Sequence, residues 1–299
     1  MEQAAGIESQ TESDQRQQPA ATARPAGDRA AAEQRARALE REAKAARGDE
    51  ARQRWTAASE QWWRCLQAAP EHGWALARYL TCGRKAGFDP EALLQSAPEA
   101  IARLGENRWV LAALGWVWRT LARDRAERGD GPGALSAVFR ALRSARQGRD
   151  PGVLLACLAA DLNRVLDVLR QPRNPDRAMG LQELARLLRE NAALFLEHLP
   201  AEPDGRGPAR SAALERFGYL CRRVGESTAD EALLEATMQP LAERYPDNPW
   251  FAAARVRAAI WRNALDEARQ RGRDAAERLA DDQALAAARA EAERAAPNP

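Results

Sequence analysis

Between Glu106 and Leu142 (ENRWVLAALGWVWRTLARDRAERGDGPGALSAVFRAL) apolar residues recur every three or four positions on either side of a glycine-rich break. In the first half Trp109, Ala112, Ala113 and Trp116 share a stripe that Leu114, Val117 and Trp118 widen. In the second half Leu135, Val138, Phe139 and Leu142 do the same, while Arg140 and Arg143 point away. That period belongs to helices with one apolar side. The break, Arg128-Gly129-Asp130-Gly131-Pro132-Gly133, ends the first helix, and Pro132 is suited to open the second. The pattern predicts two helices packed across a tight turn.

Related patterns fill most of the chain. A charged, Ala-rich helix is expected from Asp28, read as its N-cap, to about Arg47, with Gly48 as punctuation. A helix over about 49–69 carries Trp55, Trp62, Trp63 and Leu66, and Pro70 closes it. Leu154, Leu158, Leu162, Val165 and Leu169 mark another, and after a break at 171–176 a helical region with Leu184, Leu187, Leu188, Leu194 and Phe195 follows to Leu199. Further helices are expected at about 209–224, 228–245 and 249–270. Residues 1–28 hold almost no large apolar side chains and are expected to be a disordered tail. The helical domain then spans 29–270, and the loop at 200–208 either divides two lobes or connects helices within one array. Residues 271–299 alternate Ala with charges, as a terminal helix and tail would.

Internal echoes suggest repetition. Three helix starts, PEHGWALA, GENRWVLA and PDNPWFAA, place an Ala three residues after Trp74, Trp109 and Trp250. Those tryptophans lie 35 and 141 residues apart, the second interval close to four of the first. Ala58, Trp62, Cys65 and Pro70 follow a small, aromatic, small, Pro spacing, in which small residues let helices approach and an aromatic fills the gap beside them. In 106–142, Trp118, Leu121 and Ala122, the Gly129-Asp130 turn, and Ala134, Val138 and Ala141 take the equivalent places, with Arg125 and Arg146 as departures.

On these residues the chain resembles the tetratricopeptide-like helical repeat superfamily over roughly 50–270. The resemblance implies an all-α fold of antiparallel helical hairpins stacked as a solenoid, whose concave surface binds another protein. Trp109–Trp118 together with SAALERFGY at 211–219 is also similar to the tetratricopeptide-type proteins of bacterial TOTE conflict systems, which accompany primase, helicase and nuclease components.

Composition narrows the function classes. The 299 residues carry 45 basic and 43 acidic side chains, a net charge of +2 that advertises neither nucleic acid nor membrane. Lys44 and Lys85 are the only lysines, a bias assigned to a GC-rich coding sequence. The four cysteines, Cys65, Cys82, Cys157 and Cys221, are dispersed in helical stretches and read as reduced, buried hydrophobes. The acidic N-terminus has no signal-peptide core, and no apolar run spans a bilayer, so a cytoplasmic protein is expected.

Catalytic chemistry finds little footing. There is no phosphate-binding glycine loop and no serine elbow, and Ser227 and Thr228 read as caps of a following helix. The only histidines, His72 and His198, sit at a turn and a helix end, and no metal or cofactor site is expected. Asp161, alone in an apolar stretch, reads as the partner of an Arg on a neighbouring helix, or as an edge residue. Trp62, Trp109, Trp116 and Trp118 are expected in the core. Trp55 and Trp63 belong to a first hairpin with no preceding neighbour and are candidate partner contacts. Arg119–Arg149 holds eight arginines against three acids, with Arg140, Arg143 and Arg146 along one helix side. Three readings fit that side: phosphate contacts, an acidic protein surface, or a solvated face whose acids come from adjacent repeats. The expected function is a non-enzymatic adaptor that scaffolds a multiprotein complex. The alternative is a nucleic-acid-binding accessory of a bacterial defence system.

Overall fold

Asp130 closes the turn anticipated at 128–133. Its carboxylate accepts a hydrogen bond from the Gly133 amide at 2.8 Å, occupying one of the donors that a helix leaves free at its start. Gly129 stands at φ +80°, the left-handed conformation that ends the helix before it. The flanking helices are α6 (Arg108–Glu127) and α7 (Gly131–Gly148).

The computed structural model describes residues 26–172, 174–197, 207–279 and 282–295. Before the central hairpin come α1 (Ala26–Ala45), α2 (Gly48–Ala68), α3 (Gly73–Ala86) and two short helices, α4 (Pro90–Gln95) and α5 (Pro98–Leu104). After it come α8 (Pro151–Ala156), a π-helical segment (Cys157–Asp161), α9 (Leu162–Leu169), α10 (Arg177–Glu197), α11 (Gly207–Thr228), α12 (Glu231–Arg244), α13 (Pro249–Trp261), α14 (Leu265–Ala276) and α15 (Gln283–Arg294). No strand occurs among the described residues.

The helices fall into two series. In the first, α3 packs on α6, α6 on α8–α9, that segment on α11, α11 on α13, and α13 on α15. In the second, α7 packs on α10 and α10 on α12. Sequential neighbours α1/α2, α2/α3, α6/α7, α12/α13 and α13/α14 join the series. Burial of apolar side chains drives this packing. One apolar cluster runs from Ala36 to Val117, a second from Leu121 to Ala258, and a third from Ala253 to Ala292. Glycine permits the closest approach: a Cβ on Gly218 would lie 2.5 Å from the Phe251 ring, so α11 and α13 meet there only because position 218 has no side chain.

Several details differ from the sequence reading. α1 begins at Ala26, which places Asp28 inside it rather than at its N-cap. Asp230, not Ser227 or Thr228, caps α12, accepting from Leu233 N at 2.9 Å; the two hydroxyls bond back to carbonyls of α11. The single helix expected over 249–270 is two, because Asn263 adopts φ +59° and ends α13. On α6 the buried stripe is Val110, Leu114, Val117 and Leu121, while Trp109 is 46% exposed. Phe139, expected on the apolar stripe of α7, is 40% exposed. Of the expected tail over 1–28, residues 26–28 belong to α1; residues 1–25, the loop from 198 to 206 with His198, and the last residues 296–299 lie outside the described residues.

Candidate functional site

Charged side chains of the first series meet across its helix steps. Glu40 of α1 pairs with Arg78 of α3 and accepts from Trp62 Nε1 at 2.7 Å. Asp161, at the end of the π-helical segment, is 1% exposed because it lies on the buried stripe between Leu158 and Leu162. Arg119 of α6, 7% exposed, meets it with Nε and Nη2. This is the neighbouring-helix arginine the sequence reading asked for. Arg223 of α11 reaches Asp167 of α9 at 2.9 Å. Arg257 of α13 reaches Glu226 of α11 at 2.7 Å and Glu291 of α15 at 3.3 Å.

The α3–α6 step lacks this matching. Arg84, in the last turn of α3, and Arg123 of α6 have no carboxylate within ion-pairing distance among the described residues, and the Nε of each is sequestered without an acceptor. Burial, and then the positive charges of Arg123 and Arg119, push the Arg84 pKa down. Trp116, half-buried, has the Arg119 guanidinium 4.7 Å and the Arg84 guanidinium 5.5 Å from its ring centre. A cation over an indole gains about 0.5–1 kcal/mol at an exposed site. That is less than a matched carboxylate gives inside a partly buried cluster. Two guanidiniums, those of Arg84 and Arg119, lie over the ring, and Arg119 is also engaged by Asp161.

An aromatic edge lies beside this cluster. Trp74 and Trp109 meet edge to face at 5.3 Å. The three tryptophans of the internal echo each carry an arginine over the ring: Arg78 at 5.5 Å on Trp74, Arg108 at 4.4 Å on Trp109 and Arg222 at 4.4 Å on Trp250. Trp109 and Trp250 are both at least 40% exposed. Flat apolar surface next to unpaired guanidiniums is the composition that dominates binding energy at protein interfaces.

The residues singled out from the sequence are spread over other surfaces. Trp55 is 7% exposed, covered by α1, with Lys85 Nζ 4.4 Å from its ring; the neighbour thought to be missing is α1 itself. Trp63 is half-buried, stacks against Tyr79 at 5.0 Å, and lines a cleft of 350 Å³ with Leu66, Pro70 and Pro98. Arg140 lies 4.7 Å from the Trp118 ring at a separate pocket of 530 Å³, while Arg143 and Arg146 border a groove of 480 Å³ between α7 and α10. No acid from an adjacent helix pairs with these three arginines among the described residues. Elsewhere in the basic stretch acids do reach across: Arg125 binds Glu91 at 2.8 Å.

Other reactive groups are tied into the structure. All four cysteines are free and buried. Burial raises the thiol pKa of each, that of Cys82 to about 12, with the Glu40 carboxylate adding to the effect there. His72 Nε2 lies 2.9 Å from Glu33. No cluster of three or more metal-ligating side chains occurs among the described residues. No described helix is long and apolar enough to cross a membrane.

Sequence reasoning missed Arg84 and Arg123. A signal was present: Trp109, Trp116, Arg119 and Arg123 follow one another at seven, three and four residues, a single helical stripe distinct from Val110, Leu114, Val117 and Leu121. Comparison of the chain with protein-family models, characterised proteins and solved structures gives no significant match.

Proposed function

We propose that the chain is a non-enzymatic, cytoplasmic adaptor, a tetratricopeptide-like solenoid of helical hairpins that grips an acidic segment of a partner protein along its first helix series. The two packing series and the hairpin at α6 and α7 support the solenoid reading. The observation that supports the function is that Arg84, which lies over Trp116, and Arg123, whose charge acts on Arg84, have no carboxylate partner among the described residues. In this reading, partner Asp or Glu side chains pair bidentately with those guanidiniums, and Trp74 and Trp109 supply apolar contact. Binding one partner there and others elsewhere on the array scaffolds a complex.

A second reading, a nucleic-acid-binding accessory of a bacterial defence system, rests on Arg140, Arg143 and Arg146, which also lack carboxylate partners. Affinity purification from native cells separates the two. It is run with and without nuclease, on the parent and on an Arg84→Gln/Arg123→Gln variant. A protein that survives nuclease and is lost with the double variant supports the adaptor. Recovery that depends wholly on intact nucleic acid, and is unchanged in the variant, replaces the adaptor with the second reading.

A further inference from the structure

The groove between α7 and α10 belongs to the second helix series and plays no part in the site above. Phe139, Leu142, Arg143, Arg146, Glu190 and Asn191 line it. Phe139 is 40% exposed, an unusual position for a phenylalanine with Leu142 beside it. Arg143 and Arg146 have no acidic partner among the described residues. Glu190 does not neutralise them because Arg186 holds it at 2.5 Å. Asn191 is 3% exposed; its amide nitrogen donates to the Leu187 carbonyl at 2.8 Å, while its Oδ1 is buried with no donor. A buried acceptor left empty is costly. The groove therefore asks for three things together: an apolar side chain on Phe139 and Leu142, carboxylates for two arginines, and one N–H for Asn191. A nucleic-acid backbone supplies neither the apolar group nor a reason for Glu190 at the rim. An extended acidic peptide supplies all three.

We propose that this groove holds the chain's own N-terminal segment, residues 2–14. That segment, EQAAGIESQTESD, contains Glu2, Glu8, Glu12 and Asp14, no basic residue, and a single large apolar side chain, Ile7, directly before Glu8. Ile7 seats on Phe139 and Leu142, the carboxylates that follow pair with Arg143 and Arg146, and a backbone N–H meets Asn191 Oδ1. The two ends lie on the same side of the molecule. Glu33 of α1 touches His72 beside the start of α3, Trp74 of α3 touches Trp109 at the start of α6, and a Cβ at Gly148, the end of α7, would lie 2.9 Å from Leu111. The path from α1 through α3 and α6 to α7 crosses three helix spacings, about 30 Å in all. The chain from Ile7 to the start of α1 at Ala26 reaches about 65 Å when extended. Tethering also raises the local concentration of the segment to the millimolar range, ~1 mM, so a weak contact is enough to fill the groove.

The test uses the full-length chain with Ile7→p-benzoylphenylalanine, photo-cross-linked and mapped by peptide mass spectrometry. Cross-links should fall on α7 and α10 around Phe139, within one copy, with a yield that dilution does not change. Arg143→Glu/Arg146→Glu should lower that yield about tenfold, and adding Glu8→Arg/Glu12→Arg should restore it, because reversing both sides re-forms the pairs. Both arginines are exposed, and circular dichroism confirms that the charge-reversal variant remains folded. Cross-links scattered over the molecule, centred on Arg84 and Arg123, or insensitive to charge reversal would overturn the proposal. Cross-links between two copies that fade on dilution would assign the groove to a neighbouring molecule instead. Displacement of the cross-link by a single-stranded oligonucleotide, competing at Arg143 and Arg146, would assign it to nucleic acid.

Discussion

Two steps of the first helix series use the same residue types and reach different ends. Where α11, α13 and α15 meet, Arg257 stands between Glu226 and Glu291, and Arg271 of α14 likewise holds Glu235 of α12 at 2.7 Å. Where α3 and α6 meet, Arg119 is engaged by Asp161, while Arg84 and Arg123 have no carboxylate partner among the described residues. Both steps bury arginine stems against neighbouring helices. An arginine closed by acids from the next helix fixes the position of that helix. An arginine without them repels its neighbours.

The comparison is tested most severely at Asp161, the acid that engages Arg119. Asp161→Ala leaves Arg119 charged, buried and alone, a change that costs about 3–5 kcal/mol. Urea unfolding followed by circular dichroism should show it. A loss below about 1 kcal/mol would mean that the pair is solvated and that the region is less closed than its burial implies.

A smaller effect is expected in alkali at the compensated Glu40–Arg78 pair. Cys82 packs beside that pair, and burial followed by the Glu40 charge raises its thiol pKa from 9.0 to about 12. A raised pKa means that the folded state holds the proton more tightly. The stability this brings is complete below pH 9 and is lost as pH rises toward 12. Unfolding free energy should therefore be flat from pH 7 to 9 and then fall by about 2 kcal/mol by pH 11. Cys82→Ser should flatten that fall. An unchanged slope in the variant would assign the loss to other groups.

Arg257→Ala should cost about 1 kcal/mol, the value of a partly exposed charge-assisted bond, since Glu226 and Glu291 can turn to solvent. A loss of the size expected at Asp161 would show that the α11–α13–α15 step is as closed as the α6 step.

How much of this could be read from the sequence depends on which side of a helix is asked about. The ends of α6 and α7 were legible because Asp130, Gly129 and Pro132 act locally, through capping and left-handed φ, with no help from the rest of the fold. Asp161 was legible as a paired acid because a carboxylate inside an apolar run has few alternatives. The facing of α6 was not. Alanine fills the gaps between its two stripes, so Trp109–Trp116 and Val110–Leu114–Val117 look equally suited to a core, and only the positions of α7 and α8 decide between them. The break at Asn263 escaped for a related reason, because a non-glycine residue at φ +59° carries no strong turn signature. Arg140, Arg143 and Arg146 are all exposed on α7, but Arg140 lies at one pocket and Arg143 and Arg146 at another. Arg84 and Arg123 were hidden among 45 basic residues, because their lack of carboxylate partners, shared by Arg255 of α13, is decided by residues of other helices.

The most direct measurement is the urea unfolding free energy of Arg84→Gln/Arg123→Gln set beside that of Arg257→Gln. If the α3–α6 arginines are kept for a ligand, the double variant will be as stable as the parent or slightly more so, while Arg257→Gln loses about 1 kcal/mol. A loss in the double variant equal to or greater than that of Arg257→Gln would show that Arg84 and Arg123 hold the helices together, and would contradict the account.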